Sequence, residues 1–290
     1  MAAKKKPTKV YTFIDTNIFL DFYRSQNETS LALLRKLEGV KENVICTYQV
    51  EMEFLKNRHR AIIDNISDKN LNIDPRLPAV MDDSNLSGSL KKHKSDLDKK
   101  KKELKKRVSN IIGNPVLYDP IYKSLEAIFY SKNDHVLTRD MKIRHKVKRL
   151  AWRRFILGYP PRKSTDTSIG DALNWEWFIH CAQKYPGKYV IVSRDSDYGT
   201  YYNDKAFLND ALKAEFRDRV GKKSITYKTK LSEALKLMEV TVTPAEEKVE
   251  QEQMANVDSQ NQSSKNKEKK GMNTLENLLR LFDEPGSPNS

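Results

Sequence analysis

The stretch VYTFIDTNIFLDFY, residues 10–23, passes from a short apolar run of β-forming residues into helical spacing through a single carboxylate, Asp15. So short an apolar run, with almost no polar alternation, suits a strand covered on both faces. From Asn17 to Tyr23 the apolar residues recur as on one face of a helix. The chain therefore opens as strand then helix, with an acid at the junction.

That succession returns along the sequence. Ser30 to Leu37 has helical spacing with Gly39 as a stop, NVICT (43–47) is a second apolar strand, and YQVEMEFLKNRHRAII sets Val50, Phe54 and Ile62 on one helical face. KYVIVS (188–193) is the strongest strand signal. Thr167 or Ser168 is placed to cap the helix before it; RDSDYGTYYNDK after it reads as a loop and FLNDALKAEFRDRV as a helix, and SITYK and LSEALKLMEV add a strand and a helix. Strands alternating with helices predict an α/β, three-layer fold with a central, mostly parallel sheet over residues 10–240.

Two segments break the pattern. Between about 64 and 150, loop formers precede a lysine-rich run whose Leu90, Leu97, Leu104, Val108 and Ile111 have near-heptad spacing, and LYDPIYKSLEAIFY follows as a second helix. This predicts an inserted, basic helical hairpin. Residues 241–290 read as a disordered tail, interrupted at 273–284 by an amphipathic helix with Leu275, Leu278, Leu279 and Phe282 on one face. Such a helix suits the groove of a protein partner, or folds back on its own domain.

Fifty-three Lys and Arg against thirty-nine Asp and Glu leave a net charge of +14, which favours a polyanionic partner, nucleic acid foremost. No apolar run approaches the roughly 18 residues of a membrane span, and Cys46 and Cys181 are too few for a disulfide framework and lack metal-ligand spacing. A cytoplasmic protein is expected, with no membrane partner. The five histidines show no ligand spacing either.

Ligands of open α/β sheets bind beyond the carboxyl ends of the strands. Asp15 ends the first strand and Asp195 the strongest one; Glu53 lies early in the helix after NVICT, and Asp171 in the first turn of the helix before KYVIVS. Singly, each has an ordinary explanation. Asp15 suits a helix cap, Glu53 and Asp171 suit a helix dipole or solvent, and Asp195 and Asp197 suit the turn RDSDYG. Together, four carboxylates at one edge resist ionising unless a cation compensates them, and hard oxygen donors suit Mg²⁺ or Mn²⁺. Such ions activate water toward phosphodiesters.

The blocks FIDTNIFLD, TYQVEMEFLKNR, TSIGDALNW and VIVSRDSDYG, in that order, resemble a PIN-like domain, in a variant with a long helical insertion. The resemblance implies a Mg²⁺- or Mn²⁺-dependent nuclease acting on RNA ahead of DNA. It implies that Asp15, Glu53, Asp171 and Asp195 are the catalytic, metal-binding acids and that Asn17 orients Asp15. Glu51 competes with Glu53, although the V-x-x-E-F arrangement favours Glu53; Asp197 shares or replaces the role of Asp195, and Asp21 and Asp166 are further acids near that edge. The alternative is a non-catalytic nucleic-acid-binding or assembly protein on the same fold.

For the nucleic-acid backbone the sequence offers Arg144, Lys148, Arg149, Arg153 and Arg154, with Arg162 and Lys163 after them. Trp152, within that run, is expected to pack into the core with Leu150 and Phe155 ahead of stacking on a base.

Overall fold

Four of the five residues of the first strand, β1 (Val10–Ile14), are buried, which requires strands on both its edges and helices on both its faces. The computed structural model, which describes residues 8–25, 27–64, 85–162 and 168–255, supplies both. In chain order the elements after β1 are α1 (Thr16–Arg24), α2 (Ser30–Gly39), β2 (Val44–Thr47), α3 (Tyr48–Asp64), α4 (Asn85–Gly113), α5 (Pro115–Tyr118), α6 (Pro120–Phe129) and β3 (Val136–Leu137). Then come α7 (Arg144–Leu157), α8 (Gly170–Lys184), β4 (Lys188–Val192), β5 (Gly199–Tyr202), β6 (Lys205–Leu208), α9 (Asp210–Val220), β7 (Ile225–Lys228) and α10 (Leu231–Leu237). A final helix, α11, covers residues 244–255.

The main sheet has the order β3-β2-β1-β4-β7, and every neighbouring pair is parallel. Phe13 sits beside Ile45 on one side and Ile191 on the other, and Ile14 beside Val192. Alternation along β1 then divides the core. Phe13 meets Phe178 of α8 with ring centroids 6.5 Å apart, whereas the Thr12 hydroxyl points to Met238 Sδ, just beyond α10, at 3.3 Å. One face is thus covered by α8, with α7 and α9 against it, and the other by α10, α2 and α6. The chain reverses its direction across the sheet between β1 and β4, so the crevice at their carboxyl ends is the natural ligand position.

Three boundaries differ from those read in the sequence. The inserted arm is shorter than 64–150, because α6 and β3 belong to the core. Ile121, Leu125, Ile128 and Phe129 are buried, and Cys46 and Thr47 pair with Val136 and Leu137. The arm among the described residues is α4 with the short α5, and its base is clamped. Arg58 of α3 forms a buried 2.6 Å ion pair with Asp119 and donates to the Ile111 carbonyl at 2.6 Å, while the Tyr23 hydroxyl donates to the same Asp119 oxygen.

RDSDYGTYYNDK is a loop only in part, since β5 and β6 form an antiparallel hairpin closed by Asn203 and Asp204, both at positive φ. Asn and Asp tolerate that conformation, which a two-residue hairpin turn requires.

The domain also continues past residue 240. Thr243 and Glu246 form a reciprocal capping box, with Glu246 Oε2 accepting from Thr243 N at 2.7 Å and Thr243 Oγ1 from Glu246 N at 3.3 Å. Glu246 pairs with Lys36 at 2.6 Å, Glu250 accepts from the first backbone amides of α10, and Gln253 donates to the Asp21 carbonyl. The buried face of α11 is thus Glu246, Val249, Glu250 and Gln253. The segment 65–84, Lys163, Asp166, Thr167 and the helix expected at 273–284 lie outside the described residues. No helix among those described is long and apolar enough to cross a membrane.

Candidate functional site

Where β1 ends, the Asp15 amide donates to the Val192 carbonyl at 2.9 Å, so the first residue past β1 is fixed against the end of β4. Its buried carboxylate does two things at once. Oδ1 caps α1 by accepting from Thr16 N at 2.7 Å, and Oδ2 accepts from Asn17 Nδ2 at 3.0 Å and from the Ser193 hydroxyl at 2.5 Å. Ser193 Oγ in turn accepts from the Asp195 amide at 3.0 Å, and the Tyr227 hydroxyl donates to the Ser193 carbonyl at 2.7 Å. The sequence reading missed Ser193; its signal was a polar residue closing the most apolar strand.

Two other elements bring acids to the same edge. Glu53, in the second turn of α3, accepts from the Thr16 hydroxyl at 3.2 Å and from Gln49 Nε2 at 2.7 Å. α8 precedes β4 and runs opposite to it, so its first turn, with Asp171, stands at the carboxyl edge of the sheet. Gly170 adjoins Glu53 there, and a Cβ on residue 170 would collide with Glu53 Oε1 and lie 2.9 Å from Gln49 Nε2. Of the two competing glutamates, Glu53 therefore contacts the Asp15 edge. Glu51 turns away and accepts from the Tyr130 hydroxyl at 2.5 Å. Asp197 is half-buried in the loop after Asp195. Asp21 is buried and paired with Arg24 at 2.8 Å and with Arg194, a brace for the loop that carries Asp195.

The electrostatics report crowding. Burial, then the charges of Asp195 and Glu53, push the Asp15 carboxyl up to about 7, against the pull of its bonds from Ser193 and Thr16. Tyr198, wholly buried with its hydroxyl unpartnered among the described residues, is pushed well above the usual phenol range by burial and then by the fields of Asp171, Asp15, Glu53 and Asp195. All four sequence-named acids thus act on one buried ring. The donor type and the proton affinity of Asp15 fit a hard divalent cation. The spacing does not yet make a cage: among the described residues no three His, Cys, Asp or Glu side chains converge closely enough to hold a metal ion.

Of the basic residues, Lys148, Arg149 and Arg153 are exposed on α7 and Arg144 is half-buried. Arg154 is not available to a ligand. It is buried, paired with Glu176 at 3.0 Å and with Glu215, and Arg219 completes the network through Glu176 at 2.7 Å. One residue along a helix is a rotation of about 100°, which puts Arg153 outside and Arg154 inside. Trp152 departs from its expected core position and is 46% exposed. Arg162 is half-buried with its guanidinium 4.2 Å from the centre of the Phe155 ring.

A family model described as the PIN domain matches residues 12–198 of the chain. No curated protein and no solved structure matches it.

Proposed function

Because the chain belongs to the PIN domain family, we propose that it is a divalent-metal-dependent nuclease that hydrolyses phosphodiester bonds, in RNA ahead of DNA. The observation that carries this reading is Asp15, a buried carboxyl raised to about 7 by its own burial and by two neighbouring acids. A buried acid in such a field is either neutral or compensated by a cation.

In this reading Asp15, Glu53, Asp171 and Asp195 hold Mg²⁺ or Mn²⁺, and Asp197 shares the position of Asp195. The ion supplies Lewis-acid activation of water and of the phosphate. The chain's own residues do the rest. Asn17, Thr16 and Ser193 fix the Asp15 carboxylate by three hydrogen bonds, Gln49 and Thr16 fix Glu53, and Ser193 and Tyr227 hold the turn leading to Asp195. Lys148, Arg149 and Arg153 meet the phosphate backbone. A cytoplasmic location belongs to the same proposal.

The test is cleavage of end-labelled single-stranded RNA and DNA with Mn²⁺, Mg²⁺ or EDTA, comparing the protein with Asp15→Asn. Cutting that needs metal and is lost in the variant is expected; cutting that the variant retains refutes the assignment. A second reading, a non-catalytic nucleic-acid-binding protein, is favoured by the open spacing of the acids. Calorimetry with Mn²⁺ separates the two, since that reading expects no heat of binding.

A further inference from the structure

Beside the acids, at the same edge of the sheet, the ends of β2 and β3 open into a cleft of about 410 Å³. This is at the small end of the range of ligand sites, roughly 300–1,000 Å³. Its apolar lining is the buried Phe129 and Leu137 with the exposed Leu55, and two tyrosine rings line it as well, Tyr48 and Tyr130. Tyr48 directly follows β2, the strand next to the one that ends on Asp15.

The two rings are held rather than free. Tyr130 is 61% exposed, yet its hydroxyl is tethered by the 2.5 Å bond to Glu51. The Arg139 guanidinium stands 6.0 Å from the centre of the Tyr48 ring. An exposed aromatic face with its orientation already fixed loses little conformational entropy when a second ring stacks on it. Two carboxylates, Glu51 and Asp140, rim the same cleft. They accept hydrogen bonds from N–H groups and outnumber the cation of the lining, Arg139. A flat heteroaromatic ring with N–H donors on its edge answers to this combination of tyrosine rings, apolar lining and carboxylate acceptors.

Resting on the nuclease reading above, we infer that this cleft receives an unpaired nucleobase of the polynucleotide whose backbone passes the Asp15 edge, and that Glu51 favours guanine. Guanine presents two adjacent donors, N1–H and the N2 amino group, to a single carboxylate, whereas uracil presents one N–H between two carbonyls. Single-stranded bases are read in this way, by stacking and by hydrogen bonds to their Watson–Crick edges.

The experiment measures binding in EDTA, where no metal-dependent cutting intervenes. Fluorescence anisotropy of the full chain is read with three labelled RNA 12-mers: all-uridine, one with a single central guanosine, and one with an abasic site in place of that guanosine. The guanosine oligomer is expected to bind about tenfold more tightly than the all-uridine one. Glu51→Gln abolishes that preference. Tyr130→Ala, at a surface position that leaves the core intact, weakens binding of the guanosine oligomer about five- to tenfold and that of the abasic one little. Unchanged affinities in both variants overturn the inference, as does a failure of the unaltered protein to distinguish the three oligomers. If the preference holds but no substrate is cut with metal, the cleft stands and the nuclease reading falls. Metal-dependent cutting with neutral variants means the reverse.

Discussion

The Ser193 hydroxyl, at the end of β4, donates a 2.5 Å hydrogen bond to Asp15 Oδ2, at the end of β1. Its oxygen also accepts from the Asp195 amide, so one side chain sets two of the acids relative to each other. Ser193→Ala is expected to raise the proton affinity of Asp15 further and to cost about 1–3 kcal/mol of stability, as a buried acceptor loses a donor. Mn²⁺ titration calorimetry should show affinity weakened about tenfold or more, the usual range for groups that orient metal ligands.

Asp15 binds its proton more tightly in the folded chain, with a value of about 7, than at its ordinary 3.8. The stability this contributes is complete below about pH 4 and is lost as pH rises through 7. In EDTA, thermal melts of the unaltered protein should therefore lose ground to Asp15→Asn between pH 4 and pH 8, by a few kcal/mol at most. Mn²⁺ should reverse the trend for the protein that keeps the acid and leave the variant unmoved. Parallel curves across that range would show that Asp15 is not the buried acid described.

Gly170 has no unusual backbone angle to preserve; what a side chain there meets is Glu53. Gly170→Ala should displace that carboxylate and lower metal-dependent turnover by 10- to 100-fold while the far-ultraviolet dichroism stays unchanged. Turnover at the original level would place Glu53 outside the chemistry.

Arg153 and Arg154 should separate cleanly. Arg154→Ala leaves Glu176 buried with one fewer cation and should cost about 3–5 kcal/mol in denaturant unfolding. Arg153→Ala should leave stability within about 0.5 kcal/mol and reduce the salt dependence of RNA binding by about one ion. Similar unfolding curves for the two variants would contradict the buried network.

Cutting the chain after Val242 removes the partners of Lys36 and of the first amides of α10. A lowered melting temperature is expected from differential scanning calorimetry, whereas cutting after residue 255 removes none of these contacts. Equal melting temperatures for the two truncations would show that α11 adds nothing to the domain.

Legibility followed the physics of each element. Asp15 stood out because a carboxylate after an apolar strand is conspicuous; one of its oxygens caps α1 and the other is held by Asn17 and Ser193, so the cap leaves its second oxygen at the sheet edge. Glu51 and Glu53 both lie in the first turns of α3; the V-x-x-E-F arrangement favours Glu53, and the contacts of Glu53 with Gly170 and Thr16 put it on the Asp15 side. β3, two residues long, carries no periodic signal, and its place in the sheet is decided by β2. The buried face of α11 is largely Glu and Gln, invisible to apolar periodicity, although Thr243-Pro244-Ala245-Glu246 spelled out its capping box. Arg154 was misplaced because adjacent arginines look alike until the helix rotates one of them inward.

The clamp at the base of the arm has a mechanical meaning. α4 is 29 residues long, about 43 Å of helix, and its last turn is pinned to α3 through Arg58 and Ile111. Its lysines are therefore carried as charges on a rigid boom. From clamp to far end, that length is several screening lengths, each about 8 Å at physiological salt. If the nuclease proposal holds, capture of a strand along the boom would depend on salt through a field of its own, and added salt would weaken that capture before it reached the chemistry at the sheet edge.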